Sequence, residues 1–333
     1  MIRFNKVVGV SLLLFVTILS FSLLSLQFNL DFTMVKFYDT VSHYDSNNQE
    51  HVLLMSRFAR ILVALLVGAS LSLSGLLMQL QYQNDLADPS LMGISEGSAL
   101  AISLMMIFRP EASMLEKICL SLVGSVLTST LLSFISKKLI NNQNRLGLPL
   151  LGIVLSMLLS SATTFIVSYF NIAQSVSAWY ASRLYRVSLV DVWYFLPFLI
   201  MGIFFLLILR KELNIFAFGQ DITTVIGMNR KMVSLLLSGL VVLFTGVSVA
   251  VVGRLAFIGL VVPHISKLLI GKKYSDNILL VPMLGASLVL VSDYLSRLVN
   301  APFETPISVV IAMIGVPLFL YLIRKGNTFS YDT

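Results

Sequence analysis

Long apolar runs separated by short polar segments dominate the chain. Most of these runs have the roughly 17 to 25 residues that an α-helix needs to cross a hydrocarbon core about 30 Å thick. Strands of a membrane barrel would instead be about ten residues long and would alternate apolar with polar positions. The pattern therefore predicts ten membrane helices, near residues 7–30, 57–80, 91–108, 114–136, 148–170, 189–209, 233–252, 255–270, 279–296 and 306–324.

The composition agrees with a lipid environment. Hydrophobic residues make up 57% of the chain and charged residues only 12%, and the mean hydropathy is +0.91. These values lie outside the range of soluble domains, so we expect an all-α integral membrane protein with one transmembrane domain over residues 1–333. The first run lacks a convincing small-residue cleavage site and is interpreted as a span. The single cysteine, Cys119, excludes a disulfide framework within one chain.

Lysine and arginine set the expected orientation, because positive residues are retained on the cytoplasmic side of short loops. The bias places both termini in the cytoplasm. Anionic lipid of the inner leaflet accounts for the net charge of +7, so no nucleic-acid partner is expected. Most arginines on the opposite side fall at predicted helix edges, namely Arg57, Arg60, Arg183, Arg186, Arg254 and Arg297.

The chain contains no enzyme motif. It has neither a G-x-x-x-x-G-K-[ST] phosphate loop nor an H-E-x-x-H sequence, so any ATP that drives transport is hydrolysed by another chain. His43 and His51 lie with several acids in the polar segment 31–55. A solvated loop is expected there, since the spacing fits no tight metal site.

Two features leave alternatives open. Small residues cluster at 68–75, 93–99 and 285–287, where they permit close helix packing or line a path through the bundle. His264 follows Pro263 within a predicted span, where it serves either as a packing group or as a proton relay.

A polar, proline-containing segment interrupts the helical pattern between Gln79 and Gly93. Non-helical backbone at membrane depth must be buried in protein or line water. Together with Arg57, Arg60 and pieces of the C-terminal half, this segment resembles the permeases that import ferric siderophores, haem and cobalamin. The matching motif positions are Gly75, Gln79, Asn84, Leu86, Ala87, Pro89, Gly93, Gly259, Pro263, His264, Asp293, Glu304 and Pro306.

Two positions depart from that pattern. Ala59 and Asp85 stand where the family usually has proline. The second departure bears on the geometry of the turn after Asn84 and adds negative charge on the cytoplasmic side.

The resemblance implies a type II ATP-binding-cassette importer in the plasma membrane of a prokaryote. Two permeases of ten helices each, identical or paralogous, would form a central path. Two separate ATPase subunits would bind ATP and magnesium, so this chain would be non-catalytic and without a cofactor. An extracytoplasmic binding protein would deliver the cargo. An iron chelate, first a ferric siderophore, is the expected cargo, and haem and cobalamin are the alternatives.

The resemblance also implies that the cytoplasmic segment 210–231 contacts the ATPase. Apolar side chains in a semi-polar stretch with basic flanks suit burial in a partner. An amphipathic loop at the membrane surface is the alternative. We expect Phe216, Phe218, Val225 and Ile226 to be exposed, and the whole predicted coupling set is Phe216, Phe218, Gly219, Gln220, Asp221, Val225, Ile226 and Gly227.

Arg57, Arg60 and Arg297 correspond to family positions that pair with glutamates of the binding protein. Arginine suits this role because its planar guanidinium binds carboxylates with two hydrogen bonds and stays charged. Anchoring at lipid headgroups, or pairing with Asp293 and Glu304 inside the subunit, is the alternative. We expect these two acids in a tight turn, neutralised by Arg297 or by Arg254.

Three rival functional classes have less support. An ion-coupled secondary transporter needs an acidic site near the middle of the membrane, and Glu96 is the main candidate. An export permease would lack the docking arginines. A membrane enzyme has the least support, because the sequence carries no catalytic motif.

Overall fold

The structure is a computed structural model that describes residues 2–28, 33–139, 147–180, 184–301 and 303–326. Within these ranges all regular secondary structure is helical, with fourteen α-helices and a short 3-10 helix at Leu184–Arg186. The α-helices are α1 (Ile2–Gln27), α2 (Met34–Ser42), α3 (Gln49–Tyr82), α4 (Ile94–Phe108), α5 (Met114–Leu139), α6 (Gly147–Tyr169), α7 (Ala173–Tyr180), α8 (Leu189–Ile208), α9 (Arg210–Phe216), α10 (Gln220–Val225), α11 (Arg230–Val252), α12 (Ile258–Ile270), α13 (Tyr274–Leu298) and α14 (Ile307–Gly326).

Each predicted span overlaps one of these helices. Seven described helices are long and apolar enough to cross a membrane, namely α1, α3, α5, α6, α8, α11 and α13. The apolar helices α4, α12 and α14 are shorter. The prediction of a multi-helix membrane protein is thus confirmed, whereas the count of ten spanning helices stays a prediction. Residues 29 and 30, at the predicted end of the first span, lie outside the described residues.

Helix α3 forms the centre of the bundle, where α13, α11, α12 and α8 pack around it. Glycines allow this close contact. A Cβ atom added to Gly68 would lie 2.3 Å from the carbonyl oxygen of Gly285, and one added to Gly75 would lie 2.0 Å from that of Gly259. The prediction of tight packing at these small residues is confirmed, because no larger side chain fits between the backbones.

Buried hydroxyl groups join the central helices. The Oγ of Ser74 on α3 lies 2.6 Å from Oγ1 of Thr245 on α11, and Ser72 donates to the carbonyl of Val281 on α13 at 3.1 Å. Such bonds between membrane helices are each worth about 1 kcal/mol. They fix the helices in register where apolar packing alone would permit sliding.

The length of α3 provides a scale for depth. Arg60 and Tyr82 are 22 positions apart on this helix, which at about 1.5 Å per residue is about 33 Å. That distance matches the hydrocarbon thickness of a bilayer. We refer below to the Arg60 end and the Tyr82 end of the bundle.

Candidate functional site

A buried ion cluster occupies the Arg60 end. Arg60 is only 5% exposed and its Nε lies 2.8 and 3.1 Å from the two carboxylate oxygens of Asp293. Its Nη1 and Nη2 donate to the two oxygens of Glu304 at 2.8 and 3.1 Å. One guanidinium therefore joins α3 to α13 and to the segment that precedes α14. This planar, two-sided recognition is specific to arginine.

Arg297 belongs to the same cluster. It is also 5% exposed and donates from Nη2 to Asp293 at 2.5 Å, one helical turn away on α13. The same nitrogen reaches the hydroxyl of Ser25 on α1. Asp293 itself is fully buried between Arg60 and Arg297, and the predicted pairing of Asp293 with Arg297 is confirmed.

Arg57 has a different environment. It is half-buried, and Nη1 donates to the carbonyl oxygen of Leu26 at 3.1 Å. No carboxylate lies within ion-pair distance of Arg57 among the described residues. Among the described residues of this cluster three arginines face two acids, and Arg57 is the least buried of the three arginines.

The structure supports the internal alternative for two of the three arginines. Arg60 and Arg297 are buried against acids of the same chain, because Asp293 inside the bundle requires cationic partners. Of the two cations considered for these acids, Arg297 pairs with Asp293, whereas Arg254 pairs with Glu96 on α4. The docking role of Arg57, Arg60 and Arg297 stays a prediction.

The motif segment after Tyr82 forms a compact turn. The Oδ1 of Asn84 accepts from the backbone of Leu86 at 2.9 Å, and buried Asp88 accepts from the backbone of Ser90 at 2.8 Å. The carbonyl of Pro89 accepts from the amide of Ile94 at 3.1 Å. Gly93 has a φ of 85°, a left-handed conformation that glycine adopts without strain and that begins α4. Ala87 and Pro89 are buried, so the turn is held within protein as expected for backbone at this depth.

Lys267 fastens this turn to α12. Its Nζ lies 2.7 Å from Oε1 of Gln79 and 2.7 Å from Oδ1 of Asp85. Partial burial alone would raise the pKa of the Asp85 carboxyl, but the ammonium of Lys267 reverses this effect and holds that pKa below its ordinary value. The acid that replaces the usual proline thus has a partner. The sequence alone did not reveal this pair, because the two residues are far apart along the chain.

The remaining motif residues surround the same contact. Gln79 also donates to the carbonyl of Gly259 at 3.3 Å, near where that glycine contacts Gly75. Pro263 lies inside α12 and is buried, whereas the neighbouring His264 is half-buried. Pro306 is half-buried directly before α14.

Two short helices, α9 and α10, form the predicted coupling segment at the Tyr82 end. Gly219, with a φ of 96°, separates them, and Gly227, with a φ of 76°, follows α10. Both left-handed conformations favour glycine. Gln83 donates from Nε2 to the carbonyl of Phe216 at 3.3 Å, so the coupling segment contacts the motif turn directly.

An exposed apolar surface lies on α10 and its flanking residues. Val225 is 88% exposed, and the whole surface, which we call the coupling surface, consists of Phe218, Ile222, Val225 and Ile226. Phe216 does not belong to it. It is 1% exposed and packs under the guanidinium of Arg230, 4.2 Å from the ring centroid. Its predicted exposure is therefore wrong.

The last two predicted coupling residues add little to this surface. Gln220 begins α10, and its carbonyl accepts from the hydroxyls of Thr223 and Thr224. The side chain of Asp221 lies outside the described residues. The described residues contain no group of three or more His, Cys, Asp or Glu side chains placed to hold a metal ion.

Comparison with known proteins decides the family. A model of the FecCD transport family matches residues 12–325. The chain belongs to this family. FecCD membership confirms the resemblance carried by the spaced motifs and agrees with the packing of the motif glycines described above.

Several curated relatives of this FecCD chain are bacterial permeases. It is 40% identical over 292 residues to the iron-uptake system permease protein FeuB of Bacillus subtilis, covering 87% of each chain. It is 33% identical over 289 residues to the iron(3+)-hydroxamate import system permease protein FhuB of the same organism, covering 86% of this chain and 75% of the relative. It is 32% identical over 274 residues to the Fe(3+) dicitrate transport system permease protein FecC of Escherichia coli, covering 81% and 82%.

A solved structure shows the same fold. The FecCD chain superimposes with a TM-score of 0.80 on a chain of an ABC transporter assigned to the metal-chelate type and captured in an inward-facing conformation. The two sequences are 26% identical, and the match covers 96% of this chain and 99% of the other.

Proposed function

We propose that this FecCD chain is the membrane permease subunit of an ABC importer that carries an iron chelate. The proposal rests on one observation: the relatives are named as permeases for iron compounds. FeuB, FhuB and FecC are all named for iron uptake, and the superimposed structure is of the metal-chelate type. A ferric siderophore is the proposed cargo, with haem and cobalamin as alternatives.

The coupling surface supports a separate ATPase partner. Four exposed apolar side chains, Phe218, Ile222, Val225 and Ile226, lie on α10 and the residues directly before and after it, at the Tyr82 end. Exposed apolar groups that enter a partner's cleft supply most of the binding energy of many interfaces. The sequence itself has no phosphate loop. We therefore assign ATP and magnesium to two ATPase subunits, and this chain remains non-catalytic.

The environment of Arg57 at the Arg60 end supports docking of an extracytoplasmic binding protein. Arg57 is the half-buried arginine whose guanidinium meets a carbonyl and no described carboxylate. An acidic partner would complete its hydrogen bonds. This assignment puts the Arg60 end outside the plasma membrane of a prokaryote, and the Tyr82 end with both termini in the cytoplasm. A second permease, identical or paralogous, would complete the central path.

The contacts of the coupling segment support alternating access. Closure of the ATPase dimer would move α9 and α10, and the bond from Gln83 to the carbonyl of Phe216 would pass this movement to the motif turn. Lys267 joins that turn to α12. The helices around the path would then change which side is open. ATP must bind the two states with different affinity for this cycle to run.

An ion-coupled secondary transporter is not favoured. Glu96, its main candidate acid, forms an ion pair with Arg254. A proton or cation site would need that carboxylate to be available.

Uptake by cells lacking this chain tests the proposal, with radioactive iron in the ferric siderophore and in haem and radioactive cobalt in cobalamin. Loss of energy-dependent uptake of a ferric siderophore, with uptake of haem and cobalamin unchanged, is the expected result. Loss of haem or cobalamin uptake instead would reassign the cargo within the family. Unchanged uptake of all three would contradict the assignment.

A further inference from the structure

Glu96 and Arg254 form an ion pair away from both ends of the bundle. Glu96 lies in the first turn of α4, and Arg254 lies in the short segment 253–257 between α11 and α12. The two side chains are 14% and 29% exposed, respectively. The pair is thus neither sealed in the core nor fully solvated.

Neighbouring contacts place the pair inside the membrane. Ser98, two residues after Glu96, contacts Ser121, which donates to the carbonyl of Gly246 at 2.6 Å. Thr245, adjacent to Gly246, contacts Ser74 on α3. Ser74 is eight positions from Tyr82 and fourteen from Arg60, or about 12 Å and about 21 Å along the helix. Glu96 therefore lies near a level well inside the hydrocarbon thickness.

The pair also lies on a partly open face of the bundle. Glu96 shares one side of α4 with Leu100, Leu104 and Ile107, all partly exposed. This arrangement follows the i, i+4 spacing of a single helix face. The ion pair is thus at the level of the bilayer core, on a surface that the described residues of this chain cover only in part.

Two helices with exposed apolar faces, α6 and α14, contact the chain close to Glu96 and close to Arg254. The segment before α4 contacts α6, where a Cβ added to Gly152 would lie 2.9 Å from Met92. The segment 253–257 contacts α14, where a Cβ added to Gly315 would lie 3.2 Å from the Cβ of Phe257. Residues close to Glu96 in the sequence therefore adjoin α6, and residues close to Arg254 adjoin α14.

Lipid is an unfavourable neighbour for such a pair. Ionised side chains at membrane depth face protein or a water-filled cavity because contact with hydrocarbon is costly. Partial exposure in this chain then requires water, cargo or a partner subunit at this face. A neutralised pair is also consistent with a path that must bind cargo weakly enough to release it.

We propose that Glu96 and Arg254 line the water-filled path and together determine how strongly a charged cargo is bound there. Arg254 contacts negatively charged oxygen groups of the passing iron chelate, and Glu96 limits how tightly they are held. The cargo part of this inference rests on the proposed function. The placement of the pair on an aqueous path is independent of the cargo.

A charged thiol reagent tests the placement and the electrostatics together. The assembled importer would carry Cys119→Ser, because Cys119 is exposed, and Ala256→Cys as a reporter two residues from Arg254. Reaction rates with an anionic sulfonatoethyl and a cationic trimethylammonioethyl methanethiosulfonate would be measured. Ile200→Cys, on the exposed middle of α8, is the matched control and should not react.

We expect the reporter to react with both reagents. Glu96→Gln should raise the ratio of anionic to cationic rates by roughly tenfold, and Arg254→Gln should lower it by a similar factor, since each removes one nearby charge. The double variant, which keeps a hydrogen-bonding neutral pair, should restore the original ratio. A reporter that reacts with neither reagent, or a ratio that both single variants leave unchanged, would overturn the proposal.

Uptake of a ferric siderophore, measured in parallel, separates this inference from the proposed function. Arg254→Gln should lower uptake of an anionic ferric chelate at least about tenfold, with Glu96→Gln/Arg254→Gln partly restoring it. Equal loss in the single and double variants would contradict charge recognition. Absence of iron uptake by the unaltered importer would contradict the proposed function, while the thiol-reagent ratio would still test the path.

Discussion

Arg60→Gln is expected to destabilise the permease strongly, because Arg60 is the cation shared by two acids. The change removes all four hydrogen bonds to Asp293 and Glu304, which measure 2.8 to 3.1 Å. Removing one partner of a buried ion pair costs about 3–5 kcal/mol. Asp293 keeps Arg297 and Glu304 is 31% exposed, so we expect the lower limit, about 3 kcal/mol.

Thermal denaturation of the purified permease in detergent measures this effect. A loss of about 3 kcal/mol corresponds to a melting temperature lowered by roughly 4 °C in a soluble protein of this length, from an unfolding entropy of about 2.1 cal/mol/K per residue. Arg57→Gln is the matched control, since it removes one hydrogen bond to a carbonyl and should cost no more than about 1 kcal/mol. Arg57→Gln should instead weaken the affinity of the permease for the binding protein, while the fold stays intact.

The reverse pattern would refute the reasoning. If Arg60→Gln melted with the unaltered permease and only lost binding-protein affinity, the arginine would be a surface docking group and its burial would not describe the working state. Arg60→Lys adds a second check. It retains charge but cannot bind both carboxylates in the same plane, so it should recover only part of the lost stability.

Three further predictions follow from the packing and the surfaces. Gly75→Ala should lower the melting temperature, since its Cβ would lie 2.0 Å from the carbonyl oxygen of Gly259. The control Gly239→Ala, whose Cβ would have no atom within 4 Å, should leave the melting temperature unchanged or raise it. Equal effects of the two variants would contradict the close contact at Gly75. Val225→Glu should abolish co-purification with the ATPase subunit at unchanged permease stability, and retained binding would exclude the coupling surface. Asp85→Asn should cost about 1–3 kcal/mol, because Asp85 is 58% exposed but its partner Lys267 is only 10% exposed and keeps only the neutral oxygen of Gln79. An unchanged melting temperature would show that the pair does not stabilise the turn.

The fold was largely predictable because the lipid environment simplifies the pattern. Apolar runs of span length indicate helices directly, and all ten predicted spans overlap helices. The short amphiphilic helices were less predictable. Helix α2 in the segment 31–55 was expected as a solvated loop, yet Thr33 caps its start by accepting from the amide of Lys36 at 3.3 Å.

The candidate site was predictable in its residues and in the Asp293–Arg297 pair, which lies one helical turn apart, but not in its contacts between helices. Motif spacing identified Arg60, Asp293 and Glu304, yet their pairing depends on how α3 and α13 pack, which local sequence does not encode. Phe216 and Phe218 show the same limit. They are two residues apart in one semi-polar stretch, but only the first turns into the core. Pairs such as Glu96 with Arg254 require the tertiary fold.

ATP-dependent transport in reconstituted vesicles tests the central claim most directly. Vesicles would contain this permease with its partner permease and ATPase subunits, and the binding protein would be supplied with a radioactive ferric siderophore on the side that it docks. Iron should accumulate inside only when ATP, magnesium and the binding protein are all present. Accumulation without ATP, or driven instead by an imposed proton or sodium gradient, would contradict an ABC importer.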